Sequence, residues 1–196
     1  MTSERVIEVP WALLQLPQSG IILDVGSCDA TYLRSIMQPD RVLHSIDPRD
    51  CGDEMPEGIS FFHDSIIGNA LPRSFYDAVL LLSVLEHIGL PCYGEVPFEH
   101  GDRLAVSELW DVLKPGGRAI ITVPTGKSKV TSWYRQYTPR ALHRLFEGWR
   151  TEMSYWGYDG ANYVSIAEAD VEHYDYRDTP YIGAGAGAFA GIVAYR

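Results

Sequence analysis

Two aspartates lie at the ends of successive apolar runs. In a parallel sheet, ligands bind at the carboxyl ends of such strands. Asp24 lies near the end of the run at residues 21–25, which continues into a small-residue turn at Gly26. A strand that runs directly into such a turn exposes backbone N–H groups to a ligand. The negative charge of Asp24 disfavours a phosphate there and suits a cationic or amino-bearing ligand. A plain tight turn without a ligand is the alternative interpretation.

The second aspartate, Asp47, ends the apolar run at residues 42–46 and is followed by Pro48. Doubly wound nucleoside-binding folds place a carboxylate for the ribose hydroxyls about twenty residues beyond the first turn. An Asp-Pro turn initiator is the alternative, but behind the first motif we favour the ribose role. Gly26 is the only glycine in the register where dinucleotide enzymes carry G-x-G-x-x-G, which argues against a nucleotide-dependent oxidoreductase.

A third polar group follows the apolar run at residues 76–82 and consists of Ser83, Glu86 and His87. The pKa of a histidine lies near neutrality, so His87 is a candidate general base. A divalent cation takes several oxygen ligands, and Ser83 offers only a neutral hydroxyl. We therefore predict no metal site and prefer a base to a metal ligand. A structural pair at a helix start remains open.

The elements that must position these residues follow from the alternation of apolar runs with stretches of helical period, which is typical of a parallel sheet covered by helices. The apolar runs predict seven strands, at residues 21–25, 42–46, 59–63, 76–82, 118–123, 149–156 and 189–195. Helices are predicted at residues 30–37, around 105–113 and at 139–146, the last capped by Thr138. The aromatic and acidic segment 157–181 is predicted to be a loop or a short helical insertion.

Two further loops belong to the same edge of the predicted sheet. The Pro- and Gly-rich segment 89–101 contains Tyr93, Glu95 and His100, which either shape an acceptor pocket or belong to a lid without chemistry. The aromatic residues and Arg135 of segment 133–137 either contact a ligand or pack against the rim of the sheet.

The motifs taken together resemble class I S-adenosylmethionine-dependent methyltransferases. The resemblance covers residues 19–125 and rests on LDVGSCDATYL, HSIDP, FHDS, YDAVLLLSVLEHIG and LWDVLKPGGRAIITVP. It implies one domain over residues 1–196 with S-adenosylmethionine as cofactor. The implied fold is α/β and Rossmann-like: a seven-stranded, mostly parallel sheet with helices on both faces and an antiparallel last strand.

The resemblance also implies roles for individual residues. The methionine end of the cofactor is assigned to Asp24, Gly26 and Ser27, the ribose to Asp47, and the adenine to Asp64 and Ser65. Cys28, in the first turn, and Ser83 complete the predicted cofactor-binding set. The family often has glycine where this chain has Cys28 and Ala30, and the turn survives if neither position needs a positive φ.

Methyl transfer from a sulfonium is an in-line displacement in which the protein positions donor and acceptor and removes a proton where necessary. The predicted catalytic residues are His87, Glu86 and His100. Some relatives, among them ubiquinone-type O-methyltransferases, use an E-x-x-E-H metal site, in which Ser83 here replaces the first glutamate. The segment around residues 85–90 resembles that of bacterial enzymes associated with sugar or surface-glycan biosynthesis. The predicted acceptor is therefore a small molecule such as a sugar or another biosynthetic intermediate, methylated on oxygen or nitrogen. A cofactor- or partner-binding protein without catalysis is the alternative.

Composition excludes several other classes of function. The formal net charge of −10 argues against a nucleic-acid partner, because such binding depends on Lys and Arg at phosphates. No apolar run approaches the roughly 20 residues of a membrane span, and the N-terminus lacks the features of a secretory signal, so we expect a cytoplasmic protein without a membrane partner. Cys28, Cys51 and Cys92 are odd in number and far apart, which predicts reduced thiols and neither a disulfide framework nor a zinc site.

Overall fold

The fold is a twisted central sheet with helices on both faces. The computed structural model describes residues 3–94, 96–176 and 185–196. Its strands are β1 (Gly20–Val25), β2 (Arg41–Asp47), β3 (Ile59–His63), β4 (Tyr76–Leu82), β5 (Leu113–Thr125), β6 (Lys129–Val130), β7 (Arg135–Gln136), β8 (Arg150–Tyr158), β9 (Tyr163–Ile166) and β10 (Ala188–Tyr195). The main sheet has the order β3-β2-β1-β4-β5-β10-β8-β9, and β6 pairs with β7 in a small separate hairpin.

Helices α1 (Arg5–Gln15) and α2 (Leu33–Ile36) cover one face of the sheet, and α3 (Gly101–Val112) and α4 (Pro139–Leu145) cover the other. Successive side chains of a strand point to opposite faces, so Ile22 packs under α1 while its neighbour Leu23 packs under α3. The prediction of helices on both faces is confirmed. None of the helices in the described ranges is long and apolar enough to cross a membrane.

Strand β10 lies inside the sheet and runs antiparallel to both of its neighbours. It pairs with β5 along one side and with β8 along the other, over residues 188–195 in each case. Gly191 lets it pass beneath α1, because a Cβ there would lie 2.7 Å from Cη2 of Trp11. The predicted antiparallel last strand is confirmed.

The predicted number of strands is wrong, since the main sheet contains eight strands among the described residues and not seven. The additional strand is β9, which pairs with β8 in the register Tyr155↔Ile166. It belongs to the segment predicted as a loop or helical insertion, whose residues 177–181 lie outside the described ranges. A four-residue strand offers too few alternations to be recognised among aromatic and acidic neighbours.

The predicted helix at residues 30–37 is present only in part. A single 3₁₀ turn covers Ser27–Asp29, and the helix α2 has four residues. Between them Ala30 has a ψ of 87°, which is not helical and separates the two turns. The predicted cap of α4 is confirmed, because Thr138 Oγ1 accepts the N–H of Ala141 at 3.2 Å.

Candidate active site

One cavity opens at the carboxyl ends of β1, β2 and β4. It contains about 920 Å³ of empty space, its open mouth included, which suits a cofactor-sized ligand. Five of the predicted site residues line it: Gly26, Asp47, Ser65, Ser83 and His87. Parallel strands end at the same edge of the sheet, and this is why residues far apart in sequence meet there.

The turn after β1 requires glycine at its first position. Gly26 has a φ of +79°, and a Cβ there would lie 2.6 Å from Cγ2 of Val84. Its N–H donates to the carbonyl of Ile46 at 2.9 Å, which joins the turn to β2. Ser27 is buried and donates its hydroxyl to the Asp24 carbonyl at 3.2 Å, so it stabilises the turn from within. Cys28 and Ala30 have no positive φ, and the turn therefore tolerates them.

Asp24 lies behind the cavity wall rather than in it. Its Oδ1 accepts the hydroxyl of Tyr32, a residue of the wall, at 2.8 Å. Its Oδ2 has no hydrogen-bond partner within the described part of the chain. Burial raises the pKa of Asp24 to about 7, although the Tyr32 hydrogen bond opposes the shift. Asp24 therefore fixes Tyr32 at the wall and is poised to ionise near neutral pH.

Asp47 is the centre of a polar cluster at the other end of the cavity. Its Oδ2 accepts the N–H of Cys28 at 3.0 Å, and both oxygens accept from the Arg49 guanidinium at 3.2 Å. Arg49 also donates to Asp29 at 2.8 Å and lies over the Tyr93 ring at 4.6 Å. The cluster joins the turn after β1 to the loop after β2, and sequence patterns did not identify Arg49.

Cys28 and Cys51 form a disulfide with a Cα–Cα distance of 5.6 Å. The prediction of reduced thiols is therefore wrong for this pair. The parallel pairing of β1 with β2 brings together the residues that follow each strand. The two cysteines are 23 residues apart in the sequence, and no motif indicates that they form a pair. Cys92 is buried in the cavity wall, where its thiol donates to the His87 carbonyl at 3.3 Å.

The polar pair after β3 is divided between the cavity and the surface. Ser65 lines the cavity, and its N–H donates to Oδ1 of Asp64 at 2.8 Å. The Asp64 carboxylate is exposed and does not contribute to the wall. Of the pair assigned to adenine, only Ser65 lines the cavity.

A buried polar network joins α1 to the carboxyl end of β4. Glu8 is fully buried, and its Oε1 accepts the hydroxyls of Ser83, at 2.7 Å, and of Thr122. Its Oε2 pairs with Nη1 of Arg5 at 2.9 Å, and Arg5 also lines the cavity. Ser83 is thus committed to Glu8. The sequence signal for Arg5 was its spacing of three residues from Glu8 on one helix, which is too common to indicate a site.

His87 has one nitrogen fixed and the other available. Its Nδ1 lies 2.5 Å from the carbonyl oxygen of Trp133. A carbonyl only accepts, so Nδ1 carries the proton and Nε2 keeps a lone pair. Burial lowers the pKa of His87, which keeps the ring neutral at pH 7. The Tyr93 and Trp133 rings lie edge-on to it, at 5.8 and 5.7 Å between centroids.

Glu86 is buried beneath His87, and its Oε1 lies 3.8 Å from Nε2. Burial raises the pKa of Glu86 well above its usual range, which favours the protonated carboxyl. Its Oε2 has no hydrogen-bond partner among residues 3–94, 96–176 and 185–196. Over the same residues no three potential metal ligands cluster together.

The loop 89–101 contributes unevenly to the cavity. Tyr93 and Phe98 line it, whereas His100 is exposed at the N-terminus of α3 with a φ of +60° and lies outside the wall. Glu95 lies outside the described residues. Arg135 supports the segment before this loop, because its Nη1 donates to the Ile88 carbonyl at 2.7 Å. This contact supports the interpretation that Arg135 packs against the rim of the sheet.

Comparison with known proteins shows solved structures with a similar fold but no protein with a matching sequence. No family model and no curated protein matches the chain. The solved structures that share its fold include three methyltransferases. The 1,6-didemethyltoxoflavin-N1-methyltransferase of Burkholderia thailandensis, with 1,6-didemethyltoxoflavin and S-adenosylhomocysteine bound, is 14% identical with a TM-score of 0.64, over 98% of this chain and 79% of that one.

The other two neighbours are SAM-dependent methyltransferases of archaea. The Archaeoglobus fulgidus protein is 14% identical with a TM-score of 0.65, over 98% of this chain and 94% of that one. The Methanosarcina mazei protein is 14% identical with a TM-score of 0.61, over 95% and 97%. This chain has the methyltransferase fold. At such low identity the likeness establishes the fold alone, and the chemistry has to be argued from the site.

Proposed function

We propose that the protein is an S-adenosylmethionine-dependent methyltransferase that acts on a small-molecule acceptor. The observation that carries the proposal is the single cavity that joins the Gly26 turn, the Asp47 carboxylate and the available Nε2 of His87. A proposed nucleoside site and a candidate general base line the same cavity. Group transfer from a nucleoside cofactor needs this arrangement, because donor and acceptor must be held next to each other.

The residues present fit this cofactor end by end. Asp47 is proposed to accept the ribose hydroxyls and Ser65 to contact the adenine, since both line the cavity. The Gly26 turn and Tyr32 form the wall for the methionine portion. Arg5 supplies a guanidinium there for the methionine carboxylate, because of the two arginines lining the cavity it is the one not already paired with Asp47.

The cofactor, when bound, supplies an electrophilic methyl group on a sulfonium. The chain's own residues orient the acceptor, exclude water and hold a proton. Nε2 of His87 accepts the proton of an acceptor hydroxyl or amine, and the Trp133 carbonyl steadies the imidazolium that forms. Glu86 is buried beneath His87, and because burial favours its protonated form we assign it no part in accepting the proton.

The acceptor is proposed to be a small organic molecule, a sugar or another biosynthetic intermediate with a hydroxyl or an amine. The wall next to His87 is apolar and aromatic, with Tyr93, Ile88 and Phe98. Such surfaces bind planar rings and the apolar faces of sugars. The Burkholderia neighbour, a methyltransferase with the small molecule 1,6-didemethyltoxoflavin bound, is consistent with a small-molecule acceptor.

The alternative function is cofactor or partner binding without catalysis, and one observation favours it. Both Asp47 oxygens already accept from Arg49, so ribose hydroxyls must share or displace a guanidinium. That costs part of the affinity that an uncommitted carboxylate would provide.

Calorimetry tests the proposal without a known acceptor. S-adenosylhomocysteine should bind at one site in the micromolar range, about −8 kcal/mol, while NAD should not bind. Asp47→Ala should weaken the affinity by about 1.5–3 kcal/mol for each charged hydrogen bond lost, and Asp40→Ala, at an exposed carboxylate before the other end of β2, is the matched control. Absence of binding by the wild-type protein would contradict the proposal. Binding without methyl transfer to any hydroxylated or aminated compound in a broad panel would favour the alternative.

A further inference from the structure

The Cys28–Cys51 disulfide joins the two segments that form one end of the cavity. The turn after β1 contributes Gly26, Asp29 and Ala30 to the wall, and the loop after β2 contributes Asp47 and Arg49. Cys28 lies within the first segment, and Cys51 follows the second by two residues. The covalent link therefore spans the place where the proposed function puts the ribose.

The other links between these segments are polar and depend on their spacing. The Cys28 N–H donates to Asp47, and Arg49 bridges Asp47 to Asp29. The Asp29 side chain is 73% exposed, so its ion pair with Arg49 is screened by solvent and holds the loop weakly. Without the disulfide, the loop would be held near the turn mainly by these contacts.

The sheet itself does not depend on the disulfide. β1 and β2 pair in parallel through six residues, from Gly20↔Arg41 to Val25↔Ile46. Breaking the sulfur bond thus frees the ends of the two segments while the strands beneath them stay paired. The expected consequence is a change in the ribose end of the cavity and not a loss of fold.

We propose that this disulfide is a redox-sensitive positioning element, and that cofactor affinity is high when it is intact and low when it is reduced. The inference rests on the proposed function, since it concerns the same cavity. A dithiol reduces it by donating two electrons and two protons. Its first thiolate attacks one sulfur, which breaks the Cys28–Cys51 bond and forms a mixed disulfide. Its second thiolate then attacks the mixed disulfide and releases the protein thiol. Two protein thiols and one oxidised dithiol result. Cys28 is partly exposed, whereas Cys51 is buried.

The experiment measures S-adenosylhomocysteine binding to the full chain before and after reduction with dithiothreitol. Thiol titration in denaturant should give one thiol per chain before reduction and three after it, from the three cysteines and one disulfide. Reduction should weaken the affinity about tenfold, and reoxidation should restore it. The Cys28→Ser/Cys51→Ser double variant should have the affinity of the reduced protein and should not respond to dithiothreitol.

Linkage provides a second readout. If the disulfide raises the affinity for S-adenosylhomocysteine tenfold, the ligand must make the disulfide tenfold harder to reduce. The midpoint potential should then fall by about 30 mV at saturating ligand. Far-UV circular dichroism should be the same in both redox states.

Four results would overturn the inference. The first is three thiols in the air-oxidised protein, and the second is equal affinity in the two redox states. The third is a midpoint potential that does not change with ligand. The fourth is unfolding on reduction, which would show that the disulfide stabilises the whole fold. If neither redox state binds S-adenosylhomocysteine, the proposed function fails together with the inference. If both bind equally well, the proposed function stands and the inference alone fails.

Discussion

The Nδ1–H of His87 donates to the main-chain carbonyl of Trp133 over 2.5 Å, and so links the segment after β4 to the segment after β5. The acceptor is backbone, so the tautomer is set by the path of the chain and not by another side chain. Nε2 is left as the basic nitrogen, and His87 is one of the residues that line the cavity. The path of the backbone thus determines which nitrogen of His87 carries the proton.

Replacing His87 should separate catalysis from binding. His87→Ala should lower turnover by about 10²- to 10⁴-fold, because a positioned general base is lost, and should leave S-adenosylhomocysteine affinity nearly unchanged. His173→Ala, at a side chain that is 78% exposed, is the matched control. Full turnover in His87→Ala would show that the base lies elsewhere. Loss of wild-type activity in EDTA, restored by magnesium, would show a metal role.

The pH profile gives an independent check on the same residue. Only the neutral imidazole accepts a proton, and burial lowers the pKa of His87. The value of kcat/KM should therefore hold through neutrality and fall only below about pH 6.5, the ordinary histidine pKa. An acidic limb centred above that value would contradict a buried neutral base.

Gly26→Ala should destabilise the protein and the cofactor site together. The φ of +79° costs a non-glycine residue about 1–2 kcal/mol, and the contact with Val84 adds about 1–3 kcal/mol of overpacking. Gly68→Ala is a matched control, with a φ of +67° and nothing within 4 Å of the added Cβ. Urea unfolding should show the larger loss for Gly26→Ala. An equal loss of unfolding free energy in the two variants would mean that the Val84 side chain moves aside without an energetic cost.

Arg5→Met should weaken binding of ligands that carry the amino-acid portion. The affinity for S-adenosylhomocysteine should fall by about 1.5–3 kcal/mol, whereas that for 5′-methylthioadenosine, which has no carboxylate, should not change. Because Glu8 would lose its cation, Arg5→Met/Glu8→Gln should be measured beside it. Arg140→Met, on the exposed side of α4, controls for the charge. Parallel losses for both ligands would exclude a carboxylate contact.

Asp24 predicts a pH dependence of stability. Its pKa in the folded protein, about 7, lies above the unfolded value near 3.8, so the folded state binds the extra proton between these two pH values. The free energy of unfolding contributed by Asp24 is then fully present below pH 4 and is lost as the pH rises through 7. Asp24→Asn keeps an acceptor for Tyr32 and removes this loss. Its stability relative to wild type should rise from pH 4 to pH 8 by on the order of 3 kcal/mol. No change across that range would mean that the carboxyl titrates normally.

The sequence predicted the parts of the fold that depend on local pattern. The apolar runs gave the strands up to β5, and the small residues after β1 gave the turn at Gly26. Strand β9 was missed because its four residues carry too little periodicity. The one-turn helix α2 was overestimated, because the break at Ala30 comes from backbone geometry that side-chain type does not reveal.

The site was predictable where a residue follows a strand, and not where tertiary placement decides. Asp47, Ser65 and His87 each follow or end a strand and reach the cavity. Arg5 comes from a helix at the opposite end of the chain, and the partner of Cys28 lies 23 residues away without a motif. His100 was predicted from its residue type and its loop at the edge of the sheet, but it is exposed at the left-handed turn that begins α3.

The interior position of β10 has a consequence for biosynthesis. Strands β1 to β5 can pair as soon as they leave the ribosome, but β8 and β9 join the sheet only through β10, which is made after both of them. Until then the exposed edge of β5 and the unattached β8–β9 hairpin are open to other nascent chains. The chain should therefore depend on chaperones late in its synthesis, and a ribosome stalled before residue 188 should hold a species that aggregates while its first five strands are already formed.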